Sequence, residues 1–317
     1  MIENQKTKEE IMIEIAKLYY VDGLSQAEIA SVLHMSRSNV SRILQNAIAS
    51  KVVEVMVHDG SMAICNDLAK KIQSKYGLKR VLISTSHADD NRCMAIVASL
   101  AAKTIGELLD ENALIGISNG ALCESVVEYF PENTPFKADV IQLLGGTNNR
   151  SGQNDGQQLA FEFSKKLKGN GYILQSPLMV KSKILKEMIL QEKIISDTTK
   201  MYHDISVCLM DIEKTNFYIS SFNEHHLSKA DVLQLMELRA EACLCGRFFD
   251  KNGLPCNTGI NSRIIGIELE VLEKIPIKIG VSYNSKNANA VISVLKSGYI
   301  DHLIIDEVLA KAVDQAG

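Results

Sequence analysis

No apolar run in this chain approaches the roughly 20 residues needed to cross a bilayer, and the amino end, MIENQKTKEE, lacks the apolar centre of a secretion signal. A membrane partner and export are thereby set aside, and a cytoplasmic protein is expected. Paired cysteine spacing is also missing. The seven cysteines, an odd number at irregular intervals, fit a reducing compartment, and Cys243 and Cys245 form C-x-C without a second pair. Buried thiols are expected, with no zinc, no other metal and no cofactor.

A broad excess of positive charge is absent as well. The net charge is −4, and residues 1–58 hold six Lys/Arg against seven Asp/Glu. Any attraction to nucleic acid must be local, and a monomer with so few phosphate contacts would bind weakly, which implies a dimer or higher homo-oligomer.

What is present begins with length and apolar content: 317 residues, 46% hydrophobic, are enough for two domains with a large buried core. The chain is organised around LSQAEIASVLHMSRSNVSRILQNAIA, residues 24–49. Its apolar positions fall at helical spacing in two blocks: Leu24, Ala27, Ile29, Ala30, Val32 and Leu33, then Val40, Ile43, Leu44 and Ala47. His34-Met35-Ser36 forms the corner between them. Ser25 and Glu28 read as a capping box, and Ser36 as the cap of the second helix. Small Ala27 and Ala30 would let the two helices approach closely.

The second helix would present Arg37, Ser38, Asn39, Ser41, Arg42 and Gln45 outward, and no acidic residue occurs from Met35 to Val53. Arginine pairs with guanine edges and asparagine or glutamine with adenine, while serines and a helix amino end hold phosphates. The stretch therefore reads as a helix-turn-helix for double-stranded operator DNA, with Gln26, Ser36, Arg37, Ser38, Asn39, Ser41 and Arg42 as candidate contacts. A helix over Thr7 to Tyr20, with Ile11, Ile15, Leu18 and Tyr19 on one face, would cover its back and end at Asp22-Gly23. KVVEVMVHDG, residues 51–60, reads as a short strand or wing with a boundary near Asp59-Gly60. The expected division is a helix-turn-helix domain over 1–58 and an effector-binding and oligomerisation domain over 59–317.

From Met62 onward helices alternate with apolar strands: VLIS (81–84), ALIGIS (113–118), DVIQLL (139–144), a strand near 171–174, DISVCLM (204–210), IKIGVS (277–282) and HLIID (302–306). Such alternation means a doubly wound, mostly parallel sheet covered on both faces, an α/β fold. Ligands of such sheets sit at the carboxyl ends of strands. Two loops stand out there, Gly116-Ile117-Ser118-Asn119-Gly120 and Gly145-Gly146-Thr147-Asn148-Asn149. Free amides and the Ser118 hydroxyl could hold a phosphate, or the loops are tight turns without a ligand. The first also spells G-x-S-x-G, a hydrolase elbow, yet His203, His225, His226 and His302 lack a recognisable catalytic context. It is not G-x-G-x-x-G, which argues against a dinucleotide. No catalytic residue is assigned.

The stretches LYYVDGLSQAEIASVLHMSRSNVSRIL, GISNG, QLLGG, GRFFDKNG, NSRIIGIELEVL and HLIIDEVLAKAV, taken in order, resemble the SorC/DeoR-type bacterial transcription regulators. The resemblance spans residues 18–313. It implies a helix-turn-helix followed by a sugar-binding domain similar to sugar-phosphate isomerases, commonly tetrameric, with a sugar or sugar-phosphate effector. By that resemblance the effector site comprises Ser118, Asn119, Gly120 and Ala121, then Gly145, Gly146 and Thr147, and Lys286.

Several positions depart from the family pattern. Asn119 stands where tryptophan is usual and Leu122 replaces a threonine. Leu144 occupies a place that is basic in some members, and Cys243 replaces an acidic residue. The family's lysine aligns with Asn287 unless Lys286 has slipped by one. Losing these polar contacts implies a less charged effector or a pocket without a ligand. The alternative function is a sugar-phosphate isomerase or hydrolase with a helical appendage.

Overall fold

The computed structural model describes residues 7–50, 52–53, 61–132, 134–146, 156–216 and 227–316. The expected wing over 51–60, Thr147 with the two asparagines after it, His225 and His226 fall outside the described residues, apart from bends at Val52 and Val53. The chain divides into two compact units, Met1–Asp59 and Gly60–Gly317.

The first unit contains α1 (Lys8–Tyr20), α2 (Gln26–Val32) and α3 (Arg37–Ala49). Ile15, Ile29, Ala30, Val40 and Leu44 form its core, with Ile11, Leu18 and Tyr19 of α1 packed against them as their spacing predicts. Each helix start is satisfied locally. Thr7 and Glu10 form a capping box on α1 and Ser25 and Glu28 form one on α2, so free first-turn amides find acceptors. Gly23 supplies the left-handed turn between α1 and α2, at φ 73°.

In the second unit nine strands form one sheet among the described residues. Seven are parallel, in the order β1 (Arg80–Ser84), β9 (His302–Asp306), β8 (Ile277–Val281), β5 (Val207–Lys214), β2 (Leu114–Ile117), β3 (Asp139–Gln142) and β4 (Gly171–Tyr172). The far end of β5 pairs antiparallel with β6 (Ala240–Leu244), which pairs with β7 (Arg247–Asp250).

Helices cover both faces, giving two cores. One holds α4 (Ser61–Tyr76), α12 (Ala288–Ser297) and α13 (Glu307–Ala316); the other holds α5 (Asp90–Leu108), α6 (Ala121–Tyr129) and α7 (Gly156–Lys166). The two-residue period of β5 divides its side chains between them. Cys208, Met210 and Ile212 enter the first core, Val207 and Leu209 the second.

The remaining helices are α8 (Lys183–Gln191), α9 (Lys193–Lys200), α10 (Lys229–Glu237) and the single turn α11 (Leu269–Leu272). All seven cysteines are buried free thiols, as their irregular spacing suggests.

Candidate functional site

In the first unit the site is the outer face of α3. Ser36 caps the helix by accepting from the Asn39 amide at 3.2 Å, and its hydroxyl lies 3.0 Å from that of Ser38. The corner before it depends on His34, whose φ of 51° is left-handed, while the Met35 amide donates to the Ala30 carbonyl at 2.9 Å. Val40, Leu44 and Ala47 point inward at helical spacing, which turns Arg37, Ser38, Arg42 and Gln45 to the solvent and leaves Asn39 and Ser41 half-buried. The Arg42 guanidinium donates to the Asn39 side-chain oxygen at 2.9 Å, so the two side chains are held side by side.

Neither Arg37 nor Arg42 forms an ion pair among the described residues. Ser36 is exposed and Gln26, at the start of α2, is half-buried. One expectation is corrected. Ala30 sits at the helix crossing, but Ala27 is exposed and Val32 keeps 59% of its surface, because a seven-residue helix turns only one narrow stripe inward.

In the second unit the carboxyl ends of β5 and β8 meet the amino ends of α5 and α6 around a cavity of about 180 Å³. Ala121 and Leu122 line it from α6, Asp90 from α5, the run Asp211-Ile212-Glu213-Lys214 from β5, and Tyr283, Asn284, Lys286 and Asn287 from the loop after β8. The strand alternation that buries Val207 and Leu209 continues into Asp211 and Glu213, so both carboxyls emerge on the side of α5 and α6.

Asp211 accepts from the Leu122 amide at 3.2 Å, occupying the amino end of α6. Gly120, at φ 148°, makes room for it: a Cβ there would lie 2.4 Å from the Asp211 carboxylate oxygen. Burial pushes the Asp211 carboxyl up to about 7. Burial and the adjacent Asp211 charge push Glu213 up to about 8. Across the cavity, Asn284 reaches Asp90 at 3.0 Å, and the Asn287 amide donates to the Tyr283 carbonyl at 2.9 Å.

Of the residues singled out in the sequence, Ala121 and Lys286 reach this cavity, and Lys286 stands beside Asn287 so that both candidates for the family lysine line it. The other candidates among the described residues lie elsewhere than on its lining. The Ser118 hydroxyl is buried and accepts from the Asp211 amide at 3.1 Å, so it fastens the loop to β5 instead of facing a ligand. No histidine is hydrogen-bonded to it among the described residues, and the hydrolase-elbow spelling has no partner there. Asn119 is not among the residues lining the cavity, and its buried side-chain amide has no partner among the described residues. The Gly145 amide donates to Ile265 and the Gly146 amide to Ser176, and a Cβ at Gly145 would lie 2.5 Å from the Pro177 carbonyl. Neither Gly145 nor Gly146 offers a free amide, and the smallness of Gly145 admits the segment at Pro177 and Leu178.

The cavity residues not anticipated are Asp90, Asp211, Ile212, Glu213, Lys214, Tyr283 and Asn284. The signal for the strand group was available, since DIEK breaks the alternation of VCLM with charge on the face that had been apolar.

Residues 61–313 match the Sugar-bind family, a sugar-binding domain, and residues 13–50 match region 4 of sigma-70. The deoxyribonucleoside regulator of Bacillus subtilis is 26% identical over 314 residues, covering 97% of this chain and 98% of its own. The sorbitol operon regulator of Klebsiella pneumoniae is 21% identical over 311 residues, covering 95% of this chain and 96% of its own. The crystal structure of full-length SorC from Klebsiella pneumoniae superposes with a TM-score of 0.78 at 21% identity, covering 97% of this chain and 99% of that one. No helix among the described residues is long and apolar enough to cross a membrane. With a helix-turn-helix, a sheet of matching architecture and a family match over most of its length, the chain belongs to the SorC/DeoR-type transcriptional regulators, which join a DNA-binding unit to a sugar-binding domain.

Proposed function

We propose that this chain acts in the cytoplasm, without catalysis, as a homo-oligomer whose α3 helices enter successive major grooves of an operator, and that a carbohydrate in the 180 Å³ cavity changes their arrangement. The observation that carries the reading is the outer face of α3: two arginines and an asparagine displayed together, with no acidic side chain along the helix. Arg37, Ser38, Asn39 and Arg42 are the base and phosphate contacts, and Ser36, Ser41 and Gln26 hold the backbone at their flanks. The boundary between the two roles falls at the junction of residues 58 and 59.

Effector control requires unequal affinity for two arrangements, with coupling of about 1–3 kcal/mol typical of such switches. The curated relatives named for deoxyribonucleoside and sorbitol operons support a carbohydrate as that effector. The internal use of the Ser118 hydroxyl supports the non-catalytic role.

The test is binding of the full chain to a fluorescent fragment from upstream of its own gene. Wild-type protein should bind this fragment in preference to random duplex, and Arg37→Ala with Arg42→Ala should abolish the preference while far-ultraviolet circular dichroism stays unchanged. Equal affinity for both duplexes in wild type would remove the regulator assignment at this helix.

A further inference from the structure

The cavity carries both signs of charge, yet no ion pair among the described residues joins Asp90, Asp211 or Glu213 to Lys214 or Lys286. Glu213 is the sharper case. Its half-buried carboxyl lines the cavity and receives no hydrogen bond from any described residue. A donor supplied from outside the chain would complete it.

The amino end of α6 is the place where an anion would otherwise be held by unbonded amides. Here Asp211 has taken it, through the Leu122 amide, with Gly120 cleared of a Cβ to admit the carboxylate. A phosphate brought to the same amides would meet that carboxylate in contact, with Glu213 two residues along the same side of β5. Hydroxyl groups meet no such barrier. They can donate to Glu213 and Asp211 and accept from the lysine ammonium groups, so one polyol satisfies both walls without adding charge.

We infer that this cavity selects an uncharged polyhydroxylated solute, a sugar or alditol without phosphate, with Asp211 and Glu213 as the residues that reject the phosphorylated form. This narrows the proposed effector class and rests on the reading of the cavity as the effector site. The proton that the pair holds near neutral pH can be donated to a sugar oxygen, while the negative charge left on the pair, which grows as pH rises, is what opposes the ester.

The experiment is titration calorimetry and thermal shift on the full chain without DNA. The probes are aldoses, ketoses and alditols from tetroses to hexoses, each beside its terminal phosphate ester, together with inorganic phosphate and glucosamine. At least one free sugar or alditol should bind about tenfold or more tightly than its phosphate ester, as expected for an anion placed against a carboxylate, and inorganic phosphate should produce no shift. Asp211→Asn with Glu213→Gln should weaken the free sugar and shrink the penalty against the ester. Glu213→Gln alone, which spares the Asp211 contact to α6, serves if the double variant does not fold.

An ester that binds as tightly as its parent sugar, a preference for glucosamine over every neutral probe, or no binding by any probe would each overturn the inference. An ester that binds and also releases operator would overturn it while leaving the regulator reading intact. Sugar binding without any operator binding would do the reverse.

Discussion

Asp211 and Glu213 make stability depend on pH in a direction opposite to most carboxylates. Burial raises both above the ordinary value near 4, to about 7 and about 8, so between those limits the folded chain binds more protons than the unfolded one. Their contribution is therefore complete below pH of about 4 and is lost as pH climbs through the folded values. Thermal unfolding should show a midpoint that falls from pH 5 to pH 9, and Asp211→Asn with Glu213→Gln should flatten that fall. A midpoint rising across the window in wild type, with no change in slope in the variant, would contradict the assignment.

Asp301 behaves in the opposite way. Burial works against its charge, but hydrogen bonds from His302, the Lys278 amide and Lys79 outweigh it and hold the carboxyl well below its ordinary range, so its contribution is lost only in acid. On the first unit, Arg42→Ala should weaken operator binding by about 1–3 kcal/mol, the worth of a good base contact, without altering folding. Anisotropy titrations at fixed salt measure it. These residues were unequally legible in the sequence. Arg37 and Arg42 could be placed because helical spacing alone turns them outward, whereas Ser118 and Gly145 looked free only because their partners, Asp211 and Ile265, are remote in the chain.

Elements with their own local signals were read directly. Ser25 with Glu28 and Ser36 mark the starts of α2 and α3, and the apolar strands of the parallel sheet stand out by composition. The β6–β7 hairpin carries no such signal in the sequence. Its turn uses Cys245 and Gly246, both at positive φ, of 46° and 68°, and a cysteine is not a residue that advertises such a turn. Helix α10 is faint in the sequence although Ser228 and Asp231 form its capping box, because only nine residues follow and their apolar stripe is short.

The helical unit has a small core, so single deletions should matter. Leu44→Ala should cost about 2–5 kcal/mol and melt the three helices, abolishing operator binding while sugar-induced thermal shifts of the other unit persist. Ser36→Ala should cost about 1 kcal/mol through loss of the α3 cap, and Ser36→Asp should restore it. Circular dichroism melts would measure both, and a Leu44→Ala chain that kept full operator affinity would show that the packed unit is not what positions α3.

At the scale of the whole molecule, charge argues for assembly. A chain of net charge −4 with a basic helix of two arginines makes few phosphate contacts by itself, and observed affinity falls with salt by about 0.9 log units per log unit for each phosphate neutralised. Operator affinity should therefore have a salt slope larger than one α3 can supply. Light scattering should give a mass that is a multiple of 35.0 kDa, and a fragment carrying a single half-site should bind far more weakly than the complete operator. A monomeric mass at the concentration that saturates the operator would defeat this expectation.

The sheet adds one mechanical constraint. Asp211 is in register with Val281 on the parallel side, while two residues later Glu213 is opposite Cys243 in the antiparallel hairpin. One continuous backbone therefore belongs to two hydrogen-bonded ladders at the very place where a solute would press. A shift of that wall cannot stay private to the pocket: the hairpin must travel with it, or the ladder between Ile212 and Leu244 must open.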